Sequence, residues 1–78
     1  PPFPSLLDVA QICERHFKLL ISHKGTKIGT NLMRQHFSNY IRGFPKASKF
    51  RKKLVTAPSL DEMKKELSNL KSYAKKLS

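Results

Sequence analysis

The residues best suited to chemistry in this 78-residue chain are its cations, and their spacing suits phosphate groups. Lys27, Asn31, Arg34, Ser38 and Arg42 recur every three or four positions, which lines them along one face of a helix. Lys46, Lys49, Arg51, Lys52 and Lys53 follow at once, arranged around a single apolar stripe. An arginine guanidinium grips two phosphate oxygens in one plane, whereas a lysine ammonium acts as a point charge. No acidic residue stands between Glu14 and Asp61, and the formal net charge is +11. Charge of one sign repels itself in a compact chain, so a polyanionic partner explains this field better than solubility does. A plain solvated basic surface is the competing explanation.

Catalysis finds no comparable foothold. The five acids are Asp8, Glu14, Asp61, Glu62 and Glu66, and three of them fall near helix starts, where they oppose the helix dipole. Cys13 lies on an apolar stripe, whereas a reactive thiol needs exposure and positive surroundings. His16, His23 and His36 show no metal-ligand spacing with Cys13. Gly25 and Gly29 lack the context of a phosphate-cradling loop. The chain by itself is expected to catalyse nothing, and no cofactor or metal is expected on it. His36 has two readings. Four residues from both Leu32 and Tyr40, it is a packing residue of the inner face, or it touches a ligand from the edge of the core.

Four helices must position these groups. Ser5 with Asp8 resembles a capping box, and Leu6, Val9, Ala10, Cys13, Phe17 and Leu20 then share one face until Gly25 stops the helix. Ile12 and Leu19 flank that face. A second helix is predicted over about 26–42, with Ile28, Leu32, Met33, His36, Phe37, Tyr40 and Ile41 turned inward. Gly29 weakens it by about 1 kcal/mol relative to Ala and suggests a close helix crossing. Gly43 and Pro45 end it. A short helix over about 46–55 buries Ala47, Phe50 and Leu54. Ser59 with Glu62 opens the fourth, whose seam is Leu60, Met63, Leu67, Leu70, Ala74 and Leu77. That seam predicts intramolecular docking, with a dimer contact as the alternative. The fold class is all-α, a compact four-helix bundle.

A lone cysteine permits no internal disulfide and fits a reducing, cytoplasmic setting. No apolar run is long enough to span a membrane. Pro1, Pro2, Phe3 and Pro4 suggest an extended linker, with residues 5–78 as the folded domain.

The ordered set Arg34-Gln35-His36, Asn39-Tyr40, Arg42-Gly43-Phe44-Pro45-Lys46-Ala47 and Arg51 resembles the signature of the C-terminal helical domain of bacterial tRNA-dihydrouridine synthases. The Pro1-Pro2 entry and the His23-Lys24-Gly25 turn extend the similarity over about residues 1 to 67. The chain departs at Gln35, where a basic residue is usual, at Asn39, where an aromatic is usual, and at Lys46, where Gly is usual. The resemblance implies a tRNA-positioning domain, with 1–4 as the linker from an N-terminal barrel. That barrel would use FMN and NADPH to reduce a uridine in tRNA. It implies an oxidoreductase as the parent protein, with tRNA and the barrel as partners; the capped helical pattern itself predicts a monomer. Arg34, His36, Arg42 and Arg51 match motif positions; Lys27, Lys46, Lys49, Lys52 and Lys53 join them as candidate RNA contacts on charge alone. With the aromatics assigned to the core, recognition of RNA backbone and shape fits better than reading of single strands. A basic DNA-binding module and an adaptor for an acidic protein are the alternatives. The first lacks a clean helix-turn-helix with base-reading residues near a helix start.

Overall fold

The computed structural model describes residues 5–77, so the expected linker at 1–4 lies outside the described residues. Four helices follow in order: α1 (Leu6–Lys24), α2 (Thr26–Tyr40), α3 (Ala47–Thr56) and α4 (Leu60–Leu77). No strand occurs among the described residues. Helix α1 packs on α2 and α4, and α3 packs on the same two, which makes the all-α four-helix arrangement.

Helix α1 begins as its sequence dictates. The Ser5 hydroxyl accepts the Asp8 amide at 3.1 Å while the Asp8 carboxylate accepts the Ser5 amide at 3.2 Å. A reciprocal cap of this kind is worth about 1 kcal/mol. Gly25, at φ 86, ends α1 and starts α2 in a single residue. The hairpin it creates is tight at Gly29, where a Cβ would stand 2.9 Å from the Leu20 carbonyl oxygen and 3.0 Å from the Ile21 nitrogen. The close crossing expected at Gly29 is therefore present.

Phe37, Met33, Ile41, Leu54, Met63, Leu70 and Cys13 are fully buried and draw on all four helices and the α2–α3 connection. Phe17 of α1 meets Phe37 of α2 edge to face at 6.4 Å, a favoured aromatic geometry. The α4 seam is used inside the molecule: Met63, Leu67, Leu70 and Ala74 are buried, with Leu60 packed beside them.

The inner face of α2 is rotated from the one expected. It is centred on Gly29, Thr30, Met33 and Phe37, whereas Ile28 and Tyr40 are exposed and Leu32 and His36 are half-buried. The cause is Gly29. A helix pressed on α1 at Gly29 turns inward the face that carries Gly29, Met33 and Phe37, and Ile28, about 100° round the helix from Gly29, is carried outward. Helix α2 also stops at Tyr40, two residues before the expected end, because Ile41 leaves helical geometry at ψ 81.

Candidate nucleic-acid interface

Helix α2 has no side-chain cap at its start, no acid in its first turn and no base in its last. Its final carbonyls are satisfied by arginines instead. Arg42 Nε donates to the Ser38 carbonyl at 2.9 Å, and Arg51 Nη1, from α3, donates to the Ile41 carbonyl at 2.8 Å. Arg34 does the same for the end of α3: Nη2 donates to the Ala57 carbonyl at 2.7 Å while Nη1 bonds Asn31 Oδ1. Links from mid-α2 to the end of α3, and from the end of α2 to mid-α3, fix the two helices antiparallel.

The expected row along α2 is thus not a free face. Arg34 and Ser38 are half-buried, and Arg34, Arg42 and Arg51 all bind backbone oxygens. Charge-assisted bonds contribute about 1.5–3 kcal/mol where they are part-buried, as for Arg34 and Arg51, and less for Arg42, which is exposed to water, so Arg34 and Arg51 carry structure whatever else they touch. Lys27 is exposed in the first turn of α2, at the far end of the helix from Arg42. Lys46, Lys49, Lys52 and Lys53 are exposed on and before α3.

His36 lies at the edge of the α1–α2 packing. Its ring centroid is 4.2 Å from that of His16 and 5.9 Å from that of Tyr40, over which it stacks. Burial first, and the charge of His16 second, hold its pKa below the ordinary value. It is half-buried, outside the fully buried centre of the core. Cys13 is fully buried, and burial pushes its thiol up to about 11, far from a reactive thiolate.

Three of the lysines converge with a fourth from elsewhere. A notch of about 350 Å³ between α3 and α4 is lined by Lys46, Lys49, Lys53 and Lys76 around Phe50 and Tyr73. The Lys76 and Tyr73 side of it was not among the candidates drawn from sequence. Its signal was nonetheless there, since Asn69, Tyr73 and Lys76 recur at helical spacing along the edge of the α4 seam. A larger groove of about 580 Å³ separates α1 from α4, walled by Lys18, Lys64, Lys71 and Lys75. Lys71 is already engaged there, 3.1 Å from both Glu14 oxygens.

No cluster of three or more His, Cys, Asp or Glu side chains able to hold a metal occurs among the described residues. No helix among them is long and apolar enough to cross a membrane. The glycines serve a turn at Gly25, a helix crossing at Gly29 and a loop at Gly43, which is not the geometry of a cradle for a flavin phosphate. The residues present do not fit FMN.

Together these features define a small all-α basic domain, braced by arginines and notched by lysines. The family model described as dihydrouridine synthase matches residues 1–77, and the chain belongs to that family. A probable tRNA-dihydrouridine synthase of Mycobacterium leprae (strain TN) is 41% identical over 63 residues, covering 81% of this chain and 16% of the relative. Its namesakes in two Mycobacterium tuberculosis strains, CDC 1551 / Oshkosh and ATCC 25618 / H37Rv, are 38% identical over the same length and share. The chain therefore spans about a sixth of the length of these curated relatives. No solved structure matches it.

Proposed function

We propose that this chain is the tRNA-holding helical domain of a tRNA-dihydrouridine synthase acting in the cytoplasm. Chemistry belongs to another part of the whole protein, a barrel in which FMN and NADPH reduce a uridine of tRNA to dihydrouridine. One observation carries the reading: Lys46, Lys49, Lys52 and Lys53 are exposed on and before one short helix, and no acid lies between Glu14 and Asp61 to oppose them. Family membership supplies the kind of polyanion, since the relatives are named for tRNA. Arg34, Arg42 and Arg51 act mainly by holding α2 and α3 in place, and Lys27 and His36 lie outside the lysine cluster as secondary contacts. The domain works as a monomer that grips the backbone and shape of folded RNA.

The test is a titration of the chain with folded tRNA at several salt concentrations. Lys49→Glu with Lys52→Glu should weaken binding by about 1–3 kcal/mol while leaving the helical spectrum unchanged, and native affinity should fall steeply with salt. Unchanged affinity in that variant, or equal affinity for duplex DNA, would remove the reading.

A further inference from the structure

We infer that the α3–α4 notch seats one phosphodiester of the RNA, with its nucleoside against Tyr73, and that the Tyr73 ring holds Lys46 ready for it. This rests on the RNA-holding reading above and gives it an anchor point.

The notch is a costly place to gather lysines. Lys46, Lys49 and Lys53 from the α3 side face Lys76 from α4, and among the described residues no carboxylate lines the space. Three ammonium groups from the α3 side and a fourth brought to them by α4 repel one another, and a merely solvated surface gives no reason for Lys76 to face the other three. A phosphate relieves that repulsion. The volume, about 350 Å³, is near the lower end of the range of roughly 300–1,000 Å³ for small-ligand clefts, which suits a single nucleotide.

Backbone strain points to the same spot. Lys46 is the one non-glycine residue with positive φ among those described, at 66. A side chain in that conformation costs about 1–2 kcal/mol, and strain of this kind gathers at ligand clamps. What the lysine gains is a partner. Its Nζ stands 5.7 Å from the centroid of the Tyr73 ring, within cation–π range. The ring itself is fixed. Tyr73 Oη donates to the Pro45 carbonyl at 3.0 Å, and Phe50 and Phe44 lie against the ring at centroid distances of 5.0 and 6.5 Å. The residue preceding Lys46 thus orients the ring that holds the Lys46 ammonium. Ser72 lines the same space and offers an uncharged hydroxyl to a sugar or base edge, while Asn69 beside it already donates its side-chain amide to Glu66 Oε1 at 3.0 Å.

A free nucleoside monophosphate shares this chemistry, so the experiment uses both. Native chain, Lys53→Gln/Lys76→Gln and Lys18→Gln/Lys64→Gln are each titrated with folded tRNA and with uridine 5′-monophosphate. The Tyr73 ring resonances are followed by NMR. The last variant removes the same charge from the α1–α4 groove. The expected result is a tenfold or greater loss of tRNA affinity in Lys53→Gln/Lys76→Gln and less than threefold in the groove variant. Tyr73 resonances should shift in the native chain on tRNA addition and stay still in the notch variant. Equal losses in both variants would mean a diffuse field and overturn the notch, leaving RNA binding intact. Native affinity retained by the notch variant would overturn it likewise. A native chain that binds the mononucleotide but no tRNA overturns both the notch as an RNA anchor and the RNA-holding reading, as does one that binds neither.

Discussion

Arg51 Nη1 lies 2.8 Å from the carbonyl oxygen of Ile41, so a side chain of α3 closes the end of α2. A lysine in its place would supply a charge without the planar fork that reaches an oxygen from this angle. Arg51→Gln is expected to lower stability by about 1–2 kcal/mol in a thermal melt, and Arg34→Gln by a similar amount through the lost bond to Ala57. Lys49→Gln should melt within about 0.5 kcal/mol of the native chain. An Arg51→Gln variant as stable as the native chain would show that the bond to Ile41 contributes nothing.

Gly29→Ala sets two effects against each other. Helix propensity favours alanine by about 1 kcal/mol. The added Cβ meets backbone atoms of Leu20 and Ile21 at 2.9 and 3.0 Å, and backbone cannot swing aside as a side-chain tip can. The clash should win, with a net loss of about 1–3 kcal/mol by denaturant titration. A gain in stability would mean that α1 and α2 separate without penalty.

Thr30 is buried, and its hydroxyl has no hydrogen-bond partner among the described residues. An orphaned buried hydroxyl costs about 1–3 kcal/mol of desolvation. Thr30→Val keeps the shape and removes that burden, so its melting temperature should equal or exceed the native value. A loss of more than about 1 kcal/mol would reveal a bond that the hydroxyl makes.

The His36 pair gives stability a pH dependence with a definite sign. Burial, and then His16, lower the His36 pKa in the folded chain, so the unfolded chain binds more protons below its ordinary value of 6.5. His16 on α1 and Tyr40 on α2 are the rings that face it. Stability from this source is full above that value, falls as pH drops through it, and levels off below the folded pKa. The melting temperature should fall as pH drops through about 6.5, and His36→Gln should flatten the fall. An equally steep fall in His36→Gln would assign it to other groups.

Much of the scaffold was legible because it rests on local signals. Ser5 with Asp8, Ser59 with the Glu62 amide, and Gly25 between two apolar runs mark helix ends within a few residues of one another. The Gly29 crossing was legible for the same reason. The orientation of α2 was not, since Ile28 and Tyr40 fit an inward stripe by spacing and only contact with α1 turns them out. Nor was the work of the motif arginines. Charge and periodicity cannot tell a guanidinium waiting for phosphate from one already holding the Ala57 or Ile41 carbonyl. Lys46 lies between these cases. It stands where Gly is usual in the resembled pattern, and a φ of 66 is the reason glycine suits that position.

Cys13 carries a consequence of another kind. A single thiol, fully buried and pushed up to about 11, is invisible to an alkylating reagent until α1 lifts from its neighbours. Its labelling rate at neutral pH, divided by the rate in the denatured chain, is then a direct count of how often the molecule opens. A ligand that binds only the closed form must slow that clock in proportion to its own occupancy, so the native thiol can time RNA capture without any added probe.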